Sequence, residues 1–151
     1  MVCVSAKDAP AHSTDGRKKV TALSFETKRI ASAPDAIAPD GSEVRVLCHL
    51  SRGGLAIFSL PPGAVSKAVA HRTVEEVWYI VSGTGRMWRK LGDQEEIAEL
   101  GPGTSLTIPT GTHFQFRCHG PEPLNAIGAT TPPWPGENEA FFVAGPWQPT
   151  V

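Results

Sequence analysis

The stretch Gly63-Ala64-Val65-Ser66-Lys67-Ala68-Val69-Ala70-His71-Arg72-Thr73-Val74-Glu75-Glu76-Val77-Trp78-Tyr79-Ile80-Val81-Ser82-Gly83 decides the fold. It opens behind the breaker Pro61-Pro62 and then reads with a period of two. Val65, Lys67, Val69 and His71 fall on one face, and Ser66, Ala68 and Ala70 on the other, the alternation that a pleated strand imposes. Glu76 to Val81 is β-branched and aromatic, and sets Glu76, Trp78 and Ile80 on a common face before the glycines Gly83 and Gly85.

Outward from there the same period persists. Upstream, Glu43–Leu50 and Leu55–Leu60 flank Ser51-Arg52-Gly53-Gly54, which predicts a hairpin. Downstream, Arg86–Leu91 and Glu95–Leu100 flank Gly92-Asp93, a second hairpin. Thr104–Ile108, Thr112–Cys118 and Leu124–Ala129 are further short strands, separated by Gly101-Pro102-Gly103 and Pro109-Thr110-Gly111. Val20–Ile30 is expected to add an edge strand. Residues 1–19 read as a flexible polar arm, and residues 20–151 as a single barrel domain. The proline-rich stretch Thr131–Gly136 is excluded from a sheet interior and is expected to cross the barrel as a tail. The fold class is all-β, a sandwich or barrel.

Bulk properties narrow the function. The 151 residues suffice for one domain with a hydrophobic core. Fourteen basic against fifteen acidic residues leave a net charge of −1, so no general field draws the chain to nucleic acid or an anionic membrane. Cys3, Cys48 and Cys118 form neither a CxxC pair nor an even disulfide framework, which points to a reducing cytoplasm. The N-terminal residues are polar, so neither a secretory signal nor a membrane span is expected.

Two stretches resemble the cupin family, whose fold is the double-stranded β-helix, or jelly-roll barrel. Gly63, five residues, Val69-Ala70-His71, four residues, Glu76, six residues and Gly83 match the spacing of its first motif, with Val69 where that motif has its first histidine. Gly103, five residues and Pro109-Thr110-Gly111 match the second motif. His113 falls one residue before the motif's histidine position, which Phe114 occupies, and Cys118 replaces an asparagine.

In metal-binding members of that family, three histidines and the glutamate hold a divalent ion inside the barrel. The resemblance therefore implies His71, Glu76 and His113 as metal ligands, with His71 and Glu76 as the catalytic pair. Two imidazoles and a carboxylate would accept iron, zinc, manganese or nickel. A site without metal is equally open, because Val69 cannot coordinate. The direction of His113 rests on register. If it faces inward, Gln115 and Arg117 share its face and the guanidinium can grip a carboxylate or phosphate. If not, Phe114, Phe116 and Cys118 face inward, since a one-residue shift turns every side chain over. We expect the first register, with the phenylalanines packed towards the N-terminal strand. Substrate contacts are then expected from Trp78, Gln115, Arg117 and Lys67.

The resemblance implies a cupin acting on a small molecule inside the barrel. The leading expectation is a metal-dependent oxygenase, isomerase or lyase. The alternatives are a metal-free acid–base isomerase or epimerase of the sugar type, with His71 as base and Glu76 orienting it, and a non-catalytic ligand-binding or sensing module. A homodimer is expected, paired through edge strands or through Val20–Ile30.

Overall fold

The computed structural model describes residues 24–151. The arm expected at residues 1–19, and residues 20–23 of the expected edge strand, lie outside the described residues. The chain forms β1 (Ala36–Ile37), β2 (Glu43–Leu50), β3 (Gly53–Leu60), β4 (Val69–His71), β5 (Glu75–Ser82), β6 (Gly85–Leu91), β7 (Gln94–Leu100), β8 (Ser105–Ile108), β9 (His113–Cys118), β10 (Leu124–Thr131) and β11 (Ala140–Phe142). Among the described residues no helix is long and apolar enough to cross a membrane.

The strands make two antiparallel sheets, ordered β1-β2-β3-β10-β5-β8 and β11-β4-β9-β6-β7. Both expected hairpins are present, with β2 paired to β3 and β6 paired to β7. The sheets face one another as a jelly-roll barrel, the double-stranded β-helix expected from the motif spacing. Alternation in β5 shows why the sequence folds so: Glu76, Trp78 and Ile80 are buried at 3%, 1% and 0% exposure, whereas Val77, Tyr79 and Val81 point outward, half exposed. Gly83, which closes the first motif, has φ +77°. A Cβ there would also collide with the carbonyl oxygen of Pro123, so both backbone conformation and close approach require glycine.

One end of the barrel is packed solid by Leu60, Ile80, Met87, Phe116, Cys118 and Leu124. The other end is hollow because its central strand carries small side chains. Gly128 of β10 lies between Ala56 of β3 and Trp78 of β5. A Cβ on Gly128 would come within 2.6 Å of the Phe58 ring. The missing side chain leaves room for Phe58 and Trp78 to stack across β10, with ring centroids 5.0 Å apart and planes inclined by 9°.

Two expectations about the chain ends change. Residues 24–30 form no strand. They run beside β2 through isolated contacts instead, such as Lys28 Nζ to the Leu47 carbonyl at 3.5 Å. The tail after Thr131 does more than cross the barrel: it returns to the sheet as β11, pairing Ala140 with His71 and Phe142 with Val69.

Candidate functional site

The hollow end is a cavity of about 670 Å³. Its walls are mostly aliphatic and aromatic, from Val44, Ala56, Phe58, Val69, Trp78 and Phe114 among others, and its titratable groups include Asp40, His71 and Glu76. Trp134 and Pro133 form part of the wall, and the Trp134 ring meets His71 edge-on at 5.1 Å. The proline-rich stretch thus supplies a wall of the site.

Glu76 projects inward from β5, where the indole N–H of Trp78, two residues along the same face, donates to its Oε2 at 2.6 Å. Burial pushes its pKa up from 4.5 to about 7; the Trp78 hydrogen bond opposes that rise and the nearby Asp40 carboxyl reinforces it. His71 ends β4, 6% exposed, and its Nδ1 has no hydrogen-bond partner. Burial lowers its pKa from 6.5 to about 4, with only partial opposition from the Glu139 carboxylate. At neutral pH the imidazole is therefore uncharged. Glu76 bonds to Trp78, so the expected role of orienting His71 is not what its hydrogen bond serves.

Asp40 lies in the connection between β1 and β2. Its Oδ1 accepts from the Ser42 N–H at 2.8 Å and the Ser42 hydroxyl at 2.7 Å. Burial raises its pKa, against the lowering effects of those bonds and of Lys67. Glu139 ties down the Trp134-bearing segment. Its Oε1 accepts from the backbone N–H groups of Thr73 and Val74 at 2.6 and 2.7 Å, and its Oε2 accepts from the Thr73 hydroxyl at 2.8 Å. Burial works to raise this pKa, but the hydrogen bonds prevail and hold the carboxyl below its usual value.

The structure divides the expected site residues. His71, Glu76 and Trp78 meet in the cavity. His113 does not: it lies half-buried opposite Lys90 of β6, outside the cavity lining. The tight turn, with Thr112 N–H donating to the Pro109 carbonyl at 3.1 Å, starts β9 in the register that turns Phe114, Phe116 and Cys118 inward. The expected inward register is thus corrected by one residue.

Gln115 and Arg117 share the face of His113. The Gln115 amide donates to the carbonyls of Ser66 and Trp147 and accepts from the Trp147 N–H, so it fastens the C-terminal segment. Arg117 lies over the Trp147 ring at 4.5 Å. Lys67 sits outside the lining, near enough to Asp40 to favour its ionised form. The grip on an anion that these cations were expected to supply is absent from the cavity.

A metal centre of the expected kind does not fit this donor set. Val69 lines the cavity with apolar carbon, His113 is outside it, and Glu76 Oε2 is engaged by Trp78. Among the described residues no three His, Cys, Asp or Glu side chains group so as to hold an ion.

Comparison with known proteins agrees with this architecture. A family profile described as cupin domain matches residues 56–129. An uncharacterised protein of Methanocaldococcus jannaschii is 31% identical over 107 residues, covering 68% of this chain and 82% of its relative. The chain belongs to the cupin superfamily. Among solved structures it is similar to the capsular polysaccharide assembling protein CapF from Staphylococcus aureus, with a TM-score of 0.62 at 16% identity, covering 78% of this chain and 35% of CapF. Oxalate decarboxylase from Bacillus subtilis gives 0.61 at 18%, covering 71% of this chain and 29% of the decarboxylase. A conserved protein with a double-stranded β-helix domain from Klebsiella pneumoniae gives 0.57 at 16%, covering 69% of this chain and 85% of that protein. This chain spans about a third of the length of CapF and of the decarboxylase, and at these identities the likeness is one of fold.

Proposed function

We propose that this cupin takes a small, largely apolar molecule into the hollow end of the barrel and moves a proton on it without a metal ion. The observation that carries the reading is the pairing, in one cavity, of a buried carboxyl at Glu76 with an uncharged imidazole at His71, with no three-donor metal group among the described residues. Glu76, with a pKa of about 7, serves as the acid, and His71, free above about 4, as the base. An enolisable carbonyl compound suits this pair: His71 takes the α-proton while Glu76 donates to the carbonyl oxygen, and the reverse transfers restore both groups. The carbon–hydrogen bond breaks and re-forms with no change in oxidation state.

The apolar lining argues against the sugar-type alternative, because a sugar would leave most of its hydroxyls against carbon, unpaired. The binding or sensing module shares the cavity and differs only in leaving its ligand unchanged. The metal-dependent reading requires a third donor grouped with His71 and Glu76 around one ion. Asp40, His49 and Glu137 also line the cavity, but among the described residues no three such side chains are grouped so.

The test follows α-hydrogen exchange of phenylacetone in deuterium oxide by NMR. Exchange above the buffer rate, insensitive to EDTA and lowered about a hundredfold in Glu76→Gln, is the expected result. Exchange that vanishes with EDTA and returns with a divalent ion would restore the metal-dependent reading. Binding without exchange would favour the sensing module.

A further inference from the structure

The charge of the cavity is one-sided. Among the described residues its lining includes three carboxyl groups, Asp40, Glu76 and Glu137, and neither lysine nor arginine. Lys67 acts on Asp40 from outside the lining, which leaves Glu76 and Glu137 without a basic neighbour in the wall. The other titratable groups in the wall are His71, nine-tenths buried and with an unpartnered Nδ1, and His49, whose Nδ1 lies 3.8 Å from Glu26.

The same space is rich in ring faces. Phe58 and Trp78 stack on one another, Phe114 meets Trp78 edge-on at 6.5 Å, and Trp134 stands over His71. Carboxyl groups and aromatic faces in one largely apolar cavity favour one class of ligand, since both attract positive charge there. An anionic ligand would face three carboxyls and, among the described residues, no lysine or arginine in the wall. A neutral ligand would leave Glu76, when ionised, without a counter-charge to offset its desolvation, since Lys67 acts on Asp40.

We propose that the ligand of this cavity is an organic cation, a protonated amine on an apolar body, held by Asp40 and Glu76 against the rings of Phe58, Trp78 and Trp134. Glu137 carries the same sign of charge in the exposed part of the wall. An ammonium group donates up to three hydrogen bonds, so one head group can serve more than one carboxylate. The apolar body then fills the space beside Val44, Ala56 and Val69. This inference rests on the cavity being the ligand site and takes Glu76 in its ionised form, whereas the proton transfer proposed above takes it in its protonated form.

The experiment compares three probes of similar shape by isothermal titration calorimetry on the unaltered protein: phenethylamine, phenethyl alcohol and hydrocinnamate. The amine is expected to bind roughly tenfold or more tighter than the alcohol, the difference a charged hydrogen bond makes in a buried site, and hydrocinnamate weakest. Asp40→Asn should weaken the amine and leave the alcohol unchanged. Asparagine keeps the oxygen that accepts from Ser42, and Glu137→Gln, at an exposed position, repeats the test where folding is not at stake. If the alcohol or hydrocinnamate binds as tightly as the amine, the cation inference is overturned while the cavity remains the ligand site. If none of the three binds, the cavity itself is not the ligand site, and both readings fall.

Discussion

The indole N–H of Trp78 donates to Glu76 Oε2 across two positions of the same strand, at 2.6 Å, in the interior of the barrel. Residues two apart in a strand share a face, so the contact follows directly from the sequence Glu76-Val77-Trp78. It is also the interaction that restrains a carboxyl whose burial drives it towards neutrality.

Trp78→Phe keeps the ring and removes the donor. The bond favours the ionised carboxylate, so its loss should raise the Glu76 pKa further above 7 and cost about 1–2 kcal/mol of stability. NMR titration of the Glu76 side-chain carboxyl measures the shift. A pKa that stays put or falls would show that the bond does not govern this group.

Stability against pH separates the two titratable groups. His71 drops from 6.5 to about 4 on folding, so the unfolded chain holds more protons in that window and stability rises with pH across it. Glu76 climbs from 4.5 to about 7, so the folded chain holds more protons there and stability falls as pH rises. The two contributions oppose one another between pH 4.5 and 6.5. Glu76→Gln removes the second alone. Relative to the parent protein it should gain up to about 3 kcal/mol as pH climbs from 4.5 to 7, read by urea denaturation at several pH values. A difference that does not vary with pH would contradict the assignment.

The stack over β10 depends on Gly128. In Gly128→Ala the added carbon meets the Phe58 ring at 2.6 Å and Trp78 Nε1 at 3.1 Å, so the rings must separate. A loss of about 1–3 kcal/mol is expected, together with a changed near-ultraviolet circular dichroism signal from the two rings. Unchanged stability would mean the rings yield freely.

The outer face of the larger sheet carries an apolar strip. Val77, Tyr79 and Val81 of β5 are each about half exposed, and the neighbouring strands add Ile127 opposite Tyr79 and Leu55 opposite Ala129. A continuous strip of this kind is a common association surface. We propose that a second copy covers it, giving the homodimer by a route other than Val20–Ile30. Light scattering should return twice the chain mass for the parent protein and the chain mass for Tyr79→Lys. A monomeric parent protein would refute the dimer.

Much of the barrel is legible in the sequence because strand alternation is local. The faces of Glu76, Trp78 and Ile80 follow from a period of two, and Gly92-Asp93 announces its hairpin. The register of β9 is not local. One residue in the turn at Pro109–Gly111 decides whether His113 or Phe114 faces inward, and both arrangements alternate equally well. What selects between them is burial: the Phe114 and Phe116 rings fill the barrel against His71 and Trp78. Asp40, Glu139 and β11 escape a reading by motif because they come from distant connections and a proline-rich stretch. Only the closed barrel brings them to the site.

The central claim, that His71 and Glu76 act as an acid–base pair and not as metal ligands, is tested most directly by metal stoichiometry. The purified protein is incubated in turn with iron(II), manganese, nickel and zinc, dialysed and analysed by plasma mass spectrometry, beside Val69→His, which restores a histidine at the cavity position where the cupin motif carries one. The parent protein should retain well under one ion per chain, and Val69→His should retain distinctly more. One ion per chain in the parent, lost in both His71→Ala and Glu76→Gln, would contradict the account.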